Sequence, residues 1–214
     1  MSTQIRPAER GDATLVAWVQ LAAARSHVPV GFLDLMFPGE EDDRLALIQR
    51  VVDSETISMS HWSGFLVAES DGTPGAALSG YEPTKRGTDT FAAAMTQACL
   101  GAGWKPPEIE AAFGRMSPFL TCAPESPDDA WIVEWVATKP DFRGRGLVRA
   151  LLDAILDEGR SRGYHRAQIS LLIDNHPAQR AYEGAGFKVI DEKRHPEFEM
   201  TFGSPGVCRM MRDL

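Results

Sequence analysis

Val136-Ala-Thr-Lys-Pro-Asp-Phe-Arg-Gly-Arg-Gly-Leu147 runs straight into a helical pattern, and its reading decides the fold. It describes a strand that ends in a glycine-bearing loop and then opens a helix. Beyond it Val148, Leu151, Leu152, Ile155 and Leu156 keep the i, i+3, i+4, i+7, i+8 spacing of one apolar face, while Arg149, Asp153, Asp157 and Arg160 lie off it and Gly163 ends it. A strand-to-helix turn of this kind aims several backbone N–H groups, backed by a helix N-terminus, at one point in space, where a phosphate is well held. Gly144 and Gly146 let the backbone approach such a ligand, and Arg143 and Arg145 add positive charge. Downstream stands a second segment, Asn175-His-Pro-Ala-Gln-Arg-Ala-Tyr-Glu-Gly-Ala-Gly-Phe187, whose Pro177 suits the first turn of another helix closed by Gly186.

Working outward, Ile5-Arg-Pro-Ala reads as a short first strand, and Asp12 as the cap of a helix through Leu15, Val16, Val19, Leu21 and Ala22. After Pro29 and the Phe37-Pro-Gly39 turn, Leu45, Ile48, Val51 and Val52 mark a second helix. Phe65–Glu69 and Gly75–Tyr81 are strands joined at Asp71-Gly72, a strong hairpin signal. Between residues 82 and 129 the texture changes to Gly, Pro and Ser around helices at Phe91–Leu100 and Ile109–Phe113. This stretch is too short for a core of its own and is read as an insertion. Trp131–Thr138 and Ala167–Ile173 are strands rich in β-branched and apolar residues, and Phe187–Ile190 and Val207–Met211 form a last pair around a loop with Pro196 and Pro205. The expectation is one domain over 1–214, a mixed α/β sheet with helices on its faces.

Composition narrows the function. The 214 residues carry a net charge of −8, which argues against nucleic acid as a partner. No apolar run approaches the roughly 20 residues of a membrane helix. Met1-Ser-Thr-Gln-Ile-Arg holds no apolar signal region, so the expected location is the cytoplasm. Cys99, Cys122 and Cys208 are too scattered for a disulfide framework or a zinc site, and His27, His61, His165, His176 and His195 show no ligand spacing, so no metal is expected.

Arg143-Gly-Arg-Gly-Leu-Val148 resembles the acyl-CoA motif Q/R-x-x-G-x-G/A of the GNAT superfamily of N-acetyltransferases. Asn175, Ala178, Tyr182, Glu183, Gly186 and Phe187 fall on positions of the family's N-x-x-A-x-x-L-Y-E-K-x-G-F segment. The element order agrees along residues 5–82 and 131–212. The resemblance implies a central mixed, mostly antiparallel sheet flanked by helices, with the helical insertion between the third and fourth strands. It also implies that amides of about Arg143, Gly144, Arg145, Gly146, Leu147, Val148 and Arg149 hold the pyrophosphate of acetyl-CoA. The strand end Val136, Ala137 and Thr138 would pair with the pantetheine arm, and a free N–H near Val136 would stabilise the oxyanion. Three residues depart from the pattern: Val148 replaces Gly or Ala, Ala181 replaces Leu, and Gly184 replaces Lys. Val148 lies where the helix approaches the pyrophosphate, so its bulk shifts the expected seat of the cofactor. Backbone amides would still hold it.

Acyl transfer to an amine needs two proton transfers. The ammonium must lose a proton before it can attack, and the departing thiolate gains from receiving one. Tyr182 matches the family's general acid, with core packing as the competing role. Glu134 interrupts an apolar strand, and alternation puts Ile132, Glu134, Val136 and Thr138 on one face. A carboxylate there is costly unless it has a purpose, so Glu134 is the candidate base, with an arginine partner as the structural alternative. Some family members carry an acidic residue at the same offset from the motif arginine. Asn175 matches a position near the pantetheine and could equally cap its helix. Glu40–Asp43 reads as a solvated helix start, with attraction of a cation to the acceptor cleft as the alternative, and Trp62, Trp104 and Phe119 as packing, with an acceptor-pocket lining as theirs. The expected activity is acetyl transfer from acetyl-CoA to a primary amine, on a small molecule or peptide, by direct attack. The alternatives are a catalytically silent acyl-CoA-binding module, and an enzyme acting on aminoacyl-tRNA, which the net charge disfavours. Residues 24–44 and 82–129 are expected to set the acceptor, and a homodimer through the final strand or the insertion is open.

Overall fold

A computed structural model describes residues 2–214. The first half runs β1 (Thr3–Pro7), α1 (Ala13–Arg25), α2 (Phe32–Met36), α3 (Glu41–Val52), β2 (Phe65–Ser70) and β3 (Thr73–Tyr81). The stretch predicted as an insertion follows as α4 (Pro83–Arg86), α5 (Thr88–Gly101), α6 (Pro106–Gly114) and α7 (Ser117–Leu120). The second half is β4 (Trp131–Thr138), α8 (Leu147–Ser161), β5 (Arg166–Leu172), α9 (His176–Gly184), β6 (Lys188–Arg194), α10 (Pro196–Phe202) and β7 (Gly206–Asp213). One seven-stranded sheet takes the order β1-β2-β3-β4-β5-β7-β6. Only β4 and β5 run parallel; every other neighbouring pair is antiparallel.

Helices cover both faces. On one, α8 buries Leu147, Leu151, Leu152, Ile155 and Leu156 against Leu66, Leu78, Trp131 and Val133, with Tyr182 and Phe187 completing the layer. On the other, α1 and α3 share a core with residues of the insertion, among them Phe91, Met95, Cys99, Ile109 and Ala112. Asp71 and Gly72, at φ 51° and 76°, make the tight β2–β3 turn that their pairing in the sequence predicts.

Four expectations change. Asp12 does not cap α1 with its side chain: its carboxylate receives the Glu9 amide at 2.8 Å and the Arg6 guanidinium at 2.6 Å, one turn too early. The Pro196–Pro205 loop contains α10, which Pro196 starts and Gly203, at φ 76°, stops, with Phe198 and Phe202 buried one turn apart. The final strand β7 is not an edge: it inserts between β5 and β6, so the edges are β1 and β6. Lastly, strict alternation fails along β4. Trp135 has φ 55°, and the β3 register passes from Ser79↔Glu134 to Ala77↔Ala137, so Leu78 faces both Trp135 and Val136. This bulge turns Val136 to the α8 face and leaves Glu134 on the α1 face, whereas a regular strand would keep them together.

Candidate active site

The sheet is split at its centre. β4 pairs with β5 only through Trp131↔Ala167, Ile132↔Gln168 and Val133↔Ile169. Past that point β4 continues along β3 to Thr138, and β5 continues along β7 to Leu172. The β5-side edge of residues 134–138 therefore has no strand partner, and a gap opens towards the carboxyl ends of the two parallel strands. An extended chain can add to such an edge by main-chain hydrogen bonds. The strand end expected to pair with a pantetheine arm, Val136 to Thr138, is the one left unpaired.

The turn after β4 borders this gap. Gly75, lacking a Cβ, makes room for the Phe142 ring, 2.3 Å from where a Cβ would sit, and its carbonyl accepts the Lys139 amide at 2.8 Å. Gly144 and Gly146 both take φ 75°, a left-handed geometry that other residues rarely adopt. The amides of Gly144, Arg145, Gly146, Leu147, Val148 and Arg149 donate to no acceptor among the described residues; the next helical bond is Ala150 N–H to Gly146 O at 3.2 Å. A run of unpartnered amides at the start of a 15-residue helix suits a diphosphate. The Arg143 amide is outside that run, since it closes a turn on Pro140 O at 3.2 Å.

The arginines divide by role. Arg145 braces the loop, donating to Asp141 O at 2.8 Å and Ser70 Oγ at 3.3 Å and lying 4.9 Å from the Phe142 ring. Arg149 joins Asp153 at 2.9 Å and also donates to Gly184 O, tying α8 to the end of α9. Arg143 is exposed, and its guanidinium pairs with no acid among the described residues. Val148 packs its side chain against the α8 core, which absorbs much of its bulk. Asn175 caps α9 by accepting the Ala178 amide at 3.2 Å, and donates to Ser26 Oγ at the end of α1 at 2.7 Å. Its side chain is thus occupied on both sides.

Glu134 stands on the α1 face at the first β4 position past the last β4–β5 pair, and Tyr182 lies in the layer on the α8 face. Tyr182 is buried in the α8 layer, its ring 6.4 Å from Phe187, and burial raises its phenol above the ordinary value. It stays protonated at neutral pH and can only donate a proton. Glu134 is open to solvent over a small part of its surface but otherwise enclosed, and this burial pushes its carboxyl up to about 7. The Tyr81 hydroxyl, on the same sheet face, opposes part of that rise. No arginine partners Glu134, so the ion-pair alternative does not apply. Tyr81 is buried at the end of β3. Nothing in the sequence marks Tyr81, because its nearness to Glu134 depends on the β3–β4 register. Trp135 turns into an aromatic group with Phe32 at 5.9 Å and Phe91 at 6.4 Å; Phe119 packs on Phe32 at 4.6 Å, and Trp104 meets Phe37 edge-on at 6.0 Å. Phe119 and Trp104 are packing residues, as expected. Glu40–Asp43 are exposed at the start of α3. Among the described residues no group of three or more His, Cys, Asp or Glu is placed to hold a metal ion, and no helix is long and apolar enough to cross a membrane.

Comparison with known proteins gives a family and a fold. The acetyltransferase (GNAT) family model matches residues 39–187. No curated protein sequence matches the chain. One solved acetyltransferase superposes with a TM-score of 0.70 at 19% identity, covering 98% of each chain. An N-acetyltransferase from Staphylococcus aureus Mu50 gives 0.68 at 19% identity, over 98% of this chain and all 100% of that one. YncA from Salmonella typhimurium, solved with its cofactor acetyl-CoA, gives 0.55 at 19% identity, over 100% of this chain and 95% of that one. At such identities the structural likeness speaks to the fold alone.

Proposed function

The chain belongs to the GNAT acetyltransferase family, and on that premise we propose that it transfers an acetyl group from acetyl-CoA to a primary amine by direct attack. The observation that carries this reading is the parting of β4 from β5 just before Glu134, together with the unpartnered amides of the turn between β4 and α8. Acetyl-CoA supplies an activated thioester. The amides of Gly144 to Arg149 hold its diphosphate, and the free edge of β4 from Val136 to Thr138 aligns its arm. An amide near Val136, exposed by the bulge, donates to the thioester carbonyl.

Glu134 takes the proton from the alkylammonium on the α1 face, directly or through one water. The neutral amine forms the new C–N bond as the C–S bond breaks. Tyr182 gives its phenolic proton to the leaving sulfur on the α8 face, and the proton that the new amide nitrogen sheds, passed through water, restores the phenol. A carboxyl with a pKa of about 7 is well matched to that task at neutral pH, whereas an ordinary glutamate is a weaker base. Direct transfer is supported by the cysteines: all three are buried, and burial pushes the Cys99 and Cys208 thiols up to about 11.

The test is a thiol-release assay with acetyl-CoA across polyamines, aminosugars, amino acids and peptide N-termini. Release with one class, abolished in Glu134→Gln, is the expected result. CoA binding by calorimetry without release from any amine would replace this reading with that of a silent acyl-CoA-binding module.

A further inference from the structure

One row of polar side chains crosses the sheet on the α1 face. The register pairs Ser79 with Glu134, Ser170 with Arg209, and Arg209 with Asp191. β4 and β5 pair in parallel up to Val133↔Ile169, so Glu134 and Ser170 are the next residues of the two strands and stand opposite each other where the strands part. Their neighbours fix the face. Val133, Ile169, Cys208 and Met210 belong to the α8 layer, whereas Leu172 and Val207 pack with the α1 core and Met211 packs against the cluster of Tyr81 and Ile132. Glu134, Ser170 and Arg209 are each half-buried, so the row keeps an opening. The end of the insertion borders it. Lys193 Nζ donates to Ala123 O at 3.0 Å and Gln168 Nε2 to Glu125 O at 2.8 Å, and these anchors lie on either side of Arg209, because Lys193 pairs with Val207 and Gln168 with Met211. Gln168 is buried, and its Oε1 has no partner among the described residues.

We infer that this row is the acceptor subsite and that Arg209 selects amines that also carry a carboxylate. The inference rests on the acetyl-transfer reading above. Asp191 Oδ2 accepts from Arg209 Nε, at 3.0 Å, and from Nη2, which fixes the plane of the guanidinium; Nη1 donates to nothing among the described residues. One edge of the fork is thus held by the protein and the other is open to a ligand. Adjacent strands lie about 4.8 Å apart, so two steps separate the Glu134 and Arg209 backbones by roughly 10 Å. With both side chains upright and a hydrogen bond of about 2.9 Å at each end, about 4 Å is left, the length of a short amino carboxylate. Its ammonium sits against Glu134 and its carboxylate against Arg209, with the Ser170 hydroxyl between them, so each charge of the zwitterion meets its opposite. A polyamine would bring a second cation to Arg209, where like charges oppose binding.

The experiment is acetyl-CoA thiol release with the common α-amino acids, β-alanine and γ-aminobutanoate, each against its own carboxamide, and with polyamines. At least one acid should exceed its amide by about tenfold or more in kcat/KM, the worth of a hydrogen bond to a charged group. Arg209→Gln should bring that ratio close to one, chiefly through KM. Arg209→Lys, which keeps the charge and loses the fork, should retain only part of it. Amides or polyamines that match every acid overturn the inference. So does an unchanged ratio in Arg209→Gln or, if that variant does not fold, in Arg209→Lys. If no amine releases thiol, the acetyl-transfer reading falls and binding decides the subsite. The Arg209 Nε–Hε NMR resonance, assigned by its loss in the variants, should then shift in the full chain with CoA present when the acids are added and stay in place with their amides. An unmoved resonance overturns the inference.

Discussion

Glu134 carries an opposition between stability and chemistry. Its carboxyl titrates at about 7 in the fold against 4.5 for an ordinary glutamate. Between those values the folded chain binds the proton more tightly than the unfolded chain, so stability falls as pH rises from 4.5 to about 7 and is level beyond. The ionised carboxylate then costs on the order of 3 kcal/mol. Glu134→Gln should therefore raise the urea midpoint relative to the parent at pH 8 and leave it nearly unchanged at pH 4.5, while lowering turnover. Equal gains at both pH values would show that burial of the charge is not the cause. Tyr182 makes the complementary prediction. Tyr182→Phe keeps the packing against Phe187 and should lower kcat by about a hundredfold or more, with CoA affinity by calorimetry within about twofold. An unchanged kcat would return Tyr182 to the core. At this scale the sequence marks Glu134 well, since a lone carboxylate in an apolar strand is conspicuous. It cannot mark Tyr81, which comes onto the same face as Glu134 only through the β3–β4 register.

The turn between β4 and α8 shows what an element can encode locally. Gly144 needs its left-handed backbone, and a Cβ there would meet nothing within 4 Å, so only conformation is at stake. Gly144→Ala should cost about 1 kcal/mol of stability and weaken CoA binding several-fold as the amides turn away. Calorimetric affinity equal to that of the parent would mean that the cradle does not bind there. α2 is a contrasting case, held by tertiary contacts. Burial alone would raise the Asp34 carboxyl, but Arg25, the Gly31 amide and Arg44 outweigh it and hold it below the ordinary value. That network contributes stability above the ordinary carboxylate range and loses it as pH falls through the depressed value. Elements with strong local signals, α8 and the Asp71-Gly72 turn, were legible in advance. α10 was not, because its prolines suggest a loop and its two buried phenylalanines declare a helix only once a core exists to receive them.

Across the whole molecule, the insertion and the helices α1 and α3 bury their apolar residues in one continuous layer against the sheet. The chain should therefore unfold in a single calorimetric transition with matching calorimetric and van't Hoff enthalpies. Two resolved transitions would mean that the insertion is a unit of its own. The family, the order of the main elements and the glycine-bearing turn before α8 were legible in the sequence itself, because each depends on residues close together along the chain: a glycine pair before an amphipathic helix, a cap before a proline. The tertiary structure alone decided where the strands part, which face each side chain takes and what touches Glu134. Periodicity puts Glu134 and Val136 on the same face, and the bulge at Trp135 sends them to opposite ones. Such a bulge is stable only when the neighbouring strand and the aromatic layer over it hold the backbone at φ 55°, and no local pattern in the strand contains that constraint.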